Sequence, residues 1–326
     1  MQTKTSLLSR IGAAELIALA VMVSALALPF FVSNAATVSL LTQIMIGVMG
    51  ALSVYIMLRM DLMIFAVPAF MAIGGYTAAI LSVRHDVTDV FLLVAASFGI
   101  PFLVAIPLGF LVLRMRGVYF VLVTFVLAEI MPLLLFETPR LTGGSNGIAG
   151  LPAVVAFGRP IEDSTSILFM CTALALLATA ITVALTRVFR PQFESIRENE
   201  LLGQSLGLLA WKYKIYGFCV SAGIAGLAGF ALVEMLMTAH PSSFSALSSV
   251  NYVAYTIVGG QASILGPLVG AALLVWASNL FSLQGEVSQG LFGILLIVAV
   301  IFAKGGIVGV VEKLRPKPKA SRLTAS

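Results

Sequence analysis

The residues best suited to specific chemistry lie in one polar segment, residues 190–212, of an otherwise apolar chain. Its charged, amide and turn-forming residues include Arg197, Glu198, Asn199, Glu200 and Gly207. Because no histidine or cysteine accompanies them, they are suited to pairing with another polar surface, where charges set orientation more than affinity. The same segment also holds Ile196, Leu201, Leu202 and Leu206, which are available to fill a groove on a partner. The pattern predicts either a short surface helix over 194–207 that docks on a separate protein, or a solvated loop whose charges only enforce insertion topology.

The sequence lacks patterns for nucleotide hydrolysis and for metal binding. No Gly-Lys dipeptide occurs, so the phosphate-binding loop GxxxxGK[ST] is absent. His85 and His240 are isolated from each other, and Cys171 and Cys219 have no CxxC spacing, which favours packing roles for the cysteines. We therefore expect a chain that is not an enzyme and binds no cofactor itself. Any ATP hydrolysis that drives it would take place on other subunits.

Composition predicts an integral membrane protein. The chain is 60% hydrophobic and 10% charged, whereas a soluble domain has roughly 25% charged residues. Its mean hydropathy is +1.08. Because backbone groups in lipid must be paired within the segment, spans at these lengths are helices. We predict an all-α polytopic protein of about ten transmembrane helices, over 15–33, 38–58, 62–82, 90–113, 118–136, 166–189, 213–238, 247–264, 267–283 and 287–303.

Basic residues predict the orientation, because short cytoplasmic loops retain Lys and Arg. With the N-terminus inside, 16 of the 19 basic residues are cytoplasmic, and only Arg84, Arg140 and Arg159 lie outside. The high isoelectric point therefore reflects topology and does not indicate nucleic acid. This gives a cytoplasmic segment 1–14, a transmembrane domain 15–304 with the polar segment 190–212 inside, and a basic cytoplasmic tail 305–326. The alternative for the first span is a cleavable signal peptide.

Ten spans divide into five plus five of opposite orientation, which is the condition for an inverted repeat. Glycine and proline interrupt the third predicted span of each half, and broken helices in corresponding positions indicate a translocation path. The alternative is that these residues are ordinary in membrane helices. Glu129, deep in the fifth span, either lines the path or hydrogen-bonds the backbone freed by Pro132. The path candidates are Gly74, Gly75, Glu129, Gly259, Gly260, Gly266 and Pro267.

Three blocks in register resemble the branched-chain amino acid permeases of the LivM type, within the ABC importers. The first is the external loop 141–152, LTGGSNGIAGLP. The second runs from RENE at 197–200 to Gly207 and on to SAGIAGLAG at 221–229, and the third is VGGQASILGPLVGA at 258–271. In the first block the motif residues are Thr142, Gly143, Gly144, Asn146, Gly147 and Pro152.

The resemblance implies a permease subunit in a bacterial inner membrane that imports branched-chain or related neutral amino acids. It implies a second, LivH-like permease, two LivG/LivF-like ATPases that bind ATP and Mg²⁺, and a periplasmic solute-binding protein. Residues 197–207 would then dock on an ATPase, and the external motif would lie near the binding protein. Alternatives are a urea or short-amide permease of the same superfamily and, from another class, an ion-coupled secondary transporter that works alone.

Overall fold

The computed structural model describes residues 12–32 and 34–282, together with Gly293. Within them the chain is almost entirely helical, with short strands confined to the connections on one side. The helices are α1 (Ala13–Ala25), α2 (Leu28–Phe31), α3 (Ala35–Leu58), α4 (Val67–His85), α5 (Val90–Val112), α6 (Val118–Glu137), α7 (Pro139–Thr142), α8 (Ser164–Val188), α9 (Arg190–Ser205), α10 (Ala210–Leu236), α11 (Ser248–Gly259) and α12 (Leu265–Ser282). The strands are β1 (Ile148–Ala149), β2 (Val154–Ala156), β3 (Arg159–Ile161) and β4 (Thr238–Ala239).

In the described part of the chain, seven apolar helical segments are long enough to cross a membrane. They are Ala14–Phe31, Ala35–Leu58, Val67–His85, Val90–Val112, Val118–Glu137, Ser164–Val188 and Ala210–Leu236. These match the first seven predicted spans, so the prediction of a polytopic helical membrane protein is confirmed. The predicted tenth span, 287–303, lies outside the described residues except for Gly293, and the basic tail, 305–326, lies wholly outside them.

The predicted eighth span, 247–264, is shorter than expected. Helix α11 ends at Gly259 after 12 residues, which is roughly 18 Å at 1.5 Å per residue and too short for a 30 Å hydrocarbon core. A turn follows, and α12 begins at Leu265 with Gly266 and Pro267 in its first turn. The expected break at these glycines is therefore confirmed, whereas the count of ten full spans is not established.

Helices α3, α4 and α10 form the centre of the molecule, and most of their residues are buried. Only a minority of the residues of α1, α5 and α6 are buried, so these helices lie at the periphery. Ser53 and Ser221 join α3 to α10 at this centre, because each hydroxyl donates a hydrogen bond to the other residue's carbonyl. The two distances are 2.9 Å from Ser53 and 2.8 Å from Ser221.

Glycines allow α4 and α10 to touch at the backbone. A Cβ on Gly74 would lie 2.4 Å from the Cα of Gly226, and a Cβ on Gly229 would lie 1.8 Å from the carbonyl oxygen of Met71. The small residues at 221–229 therefore form a surface on which other helices pack closely, and these partner helices belong to this same chain. On its other side Gly226 approaches the carbonyl of Ser97 on α5.

The expectation that Pro68, Gly74 and Gly75 break the third span is wrong. Helix α4 is continuous from Val67 to His85, and Pro68 stands in its first turn, where the missing N–H removes no helical hydrogen bond. Gly74 and Gly75 serve close packing instead. One of the two breaks that suggested a 5+5 repeat is thus absent.

Candidate functional site

Helix α9 follows the end of the α8 span and is amphipathic. Its first half packs inward through Phe193 and Ile196, both buried. The helix is kinked at Asn199, whose backbone is extended, with φ −160° and ψ 100°. The side-chain oxygen of Asn199 accepts a hydrogen bond from the N–H of Leu202 at 3.0 Å, so Asn199 caps the second half of α9.

An ion pair attaches α9 to the central helix α10. The Lys214 ammonium lies 2.7 Å from a carboxylate oxygen of Glu200, and only 5% of the Lys214 side chain is exposed. Gln204 donates a further hydrogen bond to Glu200 at 3.3 Å. Glu200 was predicted to pair with a partner at the rim of the docking surface, but in the structure it is bound within the chain. Its position makes it an anchor of α9.

The second half of α9 presents apolar side chains outward. Leu201, Leu202 and Leu206 are 62%, 59% and 82% exposed, and we call these three residues the α9 leucine face. Arg197 and Glu198 are exposed on the preceding turn. Large exposed apolar side chains rimmed by charge on a helix outside the spans are typical of a protein contact surface. The chain therefore presents a surface of the kind that docking on another protein requires.

Gly207 ends this region with a turn that requires glycine. Its φ is +89°, and no atom lies within 4 Å of the position that a Cβ would take, so backbone conformation rather than crowding explains the residue. The N–H of Leu208 donates to the carbonyl of Gly203 at 3.0 Å across the turn. This turn directs the chain from α9 back into α10.

The external motif forms a compact, internally bonded loop. The Thr142 hydroxyl donates to the carbonyl of Leu135 or Thr138, at 2.6 and 2.8 Å, and accepts from the N–H of Gly144 at 3.2 Å. A Cβ on Gly143 would lie 2.0 Å from the carbonyl oxygen of Gly147. Asn146, within this tight turn, is exposed, and Pro152, which follows it, is half-buried.

Strand β1, within the same motif, joins this loop to the end of α10. It pairs antiparallel with β4, with Ile148 opposite Ala239. The N–H of Ser242 donates to Nδ1 of His240 at 3.2 Å, which leaves Nε2–H to donate to the carbonyl of Ser145 at 3.0 Å. A residue considered isolated in the sequence thus holds the external loop in place.

The break between α11 and α12 brings their backbones into contact. A Cβ on Gly259 would lie 1.8 Å from the carbonyl oxygen of Gly266, and one on Gly266 would lie 1.9 Å from that of Gly260. The φ of Gly260 is +118°, a conformation open mainly to glycine. Pro267 stands in the first turn of α12, where proline is tolerated. These four residues form one tight helical turnaround.

A polar cavity of about 320 Å³ lies between α3, α10, α11 and α12. Its lining combines two amides with hydroxyl groups: Gln43, Ser243, Ser248, Tyr252, Tyr255, Ser278 and Asn279. Gln43 is exposed although it lies roughly 12 Å along the α3 span, at 1.5 Å per residue. Asn279 is exposed toward the far end of α12. Exposed amides at such depth avoid hydrocarbon, so this face meets water or another protein.

The structure does not unite the seven predicted path residues. Gly74 and Gly75 pack on α10, and the glycine turnaround lies at the opposite end of α11 from the cavity. Glu129 is exposed on the peripheral helix α6, away from both. Sequence reasoning missed Gln43, Tyr252 and Asn279, although an isolated amide in an apolar span was an available signal.

A multi-pass helical membrane protein with an outward-facing amphipathic helix is the class that this architecture defines. The family described as "Branched-chain amino acid transport system / permease component" matches residues 36–302, and the chain belongs to it. The protein is therefore a permease component and not an enzyme.

Two similar proteins are the high-affinity branched-chain amino acid transport system permease proteins LivM of Salmonella typhimurium and Escherichia coli K12. Each is 29% identical over 324 residues, covering 90% of this chain and 75% of the relative. The ribose import permease protein RbsC of Escherichia coli K12 is 24% identical over 290 residues, covering 87% of this chain and 88% of that protein. No solved structure matches the chain.

Proposed function

We propose that this chain is a transmembrane permease subunit of an ATP-driven ABC importer for branched-chain or related neutral amino acids. The observation that carries the proposal is the α9 leucine face, an apolar surface on a helix outside the spans, held to the central helix by Lys214 and Glu200. Membership of the permease family and the two LivM relatives support the substrate class.

In this proposal a separate ATPase docks on the α9 leucine face, and Arg197 and Glu198 at its rim set the orientation. The ion pair between Glu200 and Lys214 then transmits movement of α9 to α10. Two LivG/LivF-like ATPases bind ATP and Mg²⁺, while this chain binds no cofactor. A LivH-like permease completes the membrane domain, and a periplasmic solute-binding protein delivers the substrate near the external motif.

The proposed location is a bacterial inner membrane, with both termini and α9 in the cytoplasm. The distribution of basic residues supports this orientation, because Arg59, Arg114, Arg187 and Lys212 all lie at the α9 side of the spans. The external motif and β1 then face the periplasm. In this orientation, the polar cavity between α3, α10, α11 and α12 forms part of the route that the substrate follows.

The test of this proposal replaces the apolar docking surface by charge. Leu202→Asp combined with Leu206→Asp should leave insertion unchanged but abolish co-purification of the two ATPases and ATP-dependent uptake, because a desolvated carboxylate opposes an apolar interface. The control is Ser205→Asp, which adds one such carboxylate to the same exposed helix beside the face. Uptake by the double variant at the level of the control would contradict the docking surface.

A second experiment separates the function classes. Proteoliposomes that contain the complete complex, with binding protein and internal ATP, should accumulate leucine, whereas this chain alone under an ion gradient should not. Ion-driven uptake by the chain alone would instead establish a secondary transporter. Uptake of urea and not leucine by the complex would establish the short-amide alternative.

A further inference from the structure

A second cavity, of about 340 Å³, lies at the membrane face where α3 and α8 end and α9 begins. Its volume is at the lower end of the range for small-molecule sites, roughly 300–1,000 Å³. Five charged side chains line it: Glu15, Arg59, Arg190, Glu194 and Arg197. They come from α1, the end of α3, and α9, while the turn between α11 and α12 closes one side. The proposed transport function uses one of these residues, Arg197, at the rim of the docking surface, and assigns no role to the other four.

More arginines than glutamates line this cavity. Arg59 and Arg190 share a single carboxylate oxygen of Glu194, at 3.4 and 2.9 Å. Glu15 is already bound by Arg187, which lies outside the lining. Among the described residues, no ion pair is formed by Arg197. The cavity therefore holds three guanidinium groups and one carboxylate available to neutralise them.

Arg59 is the most enclosed of the three, with 12% of its side chain exposed. Its contacts are long, since it reaches Glu194 and the carbonyl of Ala262 at 3.4 Å each. A charge removed from water is costly unless close partners replace its hydration. Guanidinium groups prefer oxyanions that accept several N–H bonds at once, and phosphate offers more such oxygens than a carboxylate.

The position of the cavity favours one source of phosphate. The cavity lies at the level where α3 and α8 leave the membrane, and α1, which forms one wall, is a peripheral span with few buried residues. A headgroup can therefore approach laterally from the bilayer, where basic pockets between spans bind anionic lipids. We propose that Arg59, Arg190 and Arg197 form a phosphate-binding site that takes the headgroup phosphate of an anionic phospholipid.

Occupation of this site links the lipid to α9. The phosphate bridges Arg59, at the end of α3, to Arg190 and Arg197, which lie about two turns apart on the same side of α9. It thereby neutralises guanidiniums that otherwise repel one another across the junction. The lipid becomes a further attachment of α9, on the N-terminal side of the Glu200 that pairs with Lys214.

The test measures lipid retention by the full chain purified in detergent. Native mass spectrometry with added phosphatidylglycerol should show a bound lipid, and phosphatidylcholine should be retained about tenfold less. Arg59→Gln combined with Arg197→Gln should lower phosphatidylglycerol retention about tenfold. Arg197→Gln alone, at an exposed position, should lower it severalfold without affecting folding. The matched control is Arg116→Gln, an exposed arginine on the same membrane face and outside the cavity, which should retain lipid like the wild type.

A parallel arm titrates inorganic phosphate against the thermal stability of delipidated protein. Stabilisation that the double variant loses, without any preference for phosphatidylglycerol, would assign the site to free phosphate. Equal retention of phosphatidylglycerol by wild type and both cavity variants, with no phosphate response, would overturn the proposal. Loss of retention in Arg116→Gln equal to that in Arg197→Gln would also overturn it, since surface charge alone would then explain the binding.

Discussion

The ammonium of Lys214 lies 2.7 Å from the carboxylate of Glu200, and this pair joins a surface helix to the buried centre of the protein. Lys214 belongs to the first turns of α10, whereas Glu200 follows the kink of α9 at Asn199. Because Lys214 is almost fully buried, its charge depends on Glu200 for compensation. The pair therefore holds α9 on α10 more strongly than an exposed ion pair of the same length would.

We predict that Lys214→Met detaches the second half of α9. The substitution keeps the volume of the side chain but leaves the partly buried Glu200 carboxylate without its cation, at a cost of about 2 kcal/mol. The melting temperature in detergent should fall, and limited proteolysis should cleave within 199–209 faster than in the wild type.

Lys212→Met provides the control, because Lys212 lies two residues away and contacts the Tyr216 ring rather than a carboxylate. Exchange of the two charges, Lys214→Glu with Glu200→Lys, should recover part of the lost stability. Equal proteolysis of Lys214→Met and Lys212→Met would show that the pair does not hold α9.

A second prediction concerns the contact between α4 and α10. Gly74→Ala places a methyl group 2.4 Å from the Cα of Gly226, and backbone cannot yield as a side chain can. The helices must separate, with a loss of roughly 3 kcal/mol, the upper part of the range for overpacking. Gly99→Ala on α5 is the control, because no atom lies within 4 Å of its Cβ position. Thermal unfolding should show Gly74→Ala as strongly destabilised and Gly99→Ala as unchanged or stabilised, and equal melting temperatures would contradict the packing role.

The sequence was sufficient to predict the long spans, because apolar length alone determines them, and seven agree with the structure to within a few residues at most ends. It was not sufficient for Gly74 and Gly75. A glycine pair in a span allows either a bend in the helix or the close approach of a second helix. Only the position of Gly226, on the facing helix α10, decides between these two roles. Local composition carries no information about that neighbour.

In the candidate site, too, some features could be predicted from the sequence and others could not. Exposed leucines after Asn199 follow from helical periodicity, so the apolar face of α9 was predictable, while its docking on another protein stays a prediction. The partner of Glu200 was not, since a carboxylate at a membrane surface pairs equally well with another protein or with a lysine of the next helix. Gln43 and Asn279 are 236 residues apart in the chain, and only the packing of α12 against α3 places them around one cavity.

The third prediction tests that cavity by accessibility. Single cysteines at Gln43 and Asn279 should react with a small hydrophilic thiol reagent, because both positions line a polar cavity that admits water. A cysteine at Leu273, exposed on α12 but outside the cavity lining, should react at least tenfold more slowly. The native Cys171 and Cys219 are buried and should give little background. Added leucine and ATP in the complete complex should change the labelling of Asn279→Cys, and equal labelling at all three positions would remove the cavity from the route.

The last prediction concerns the turnaround between α11 and α12. Gly260 has a φ of +118°, so any side chain there is strained, by about 1–3 kcal/mol, whatever space surrounds it. Gly260→Val should therefore displace the first turn of α12 and abolish leucine uptake by the complete complex. Assembly with the ATPases and basal ATP hydrolysis should persist, because the α9 leucine face lies on a different helix. Gln261→Ala, in the same turn but exposed, is the control and should transport normally. Normal uptake by Gly260→Val would show that the turnaround plays no part in transport, whereas loss of assembly would establish a packing role for this glycine.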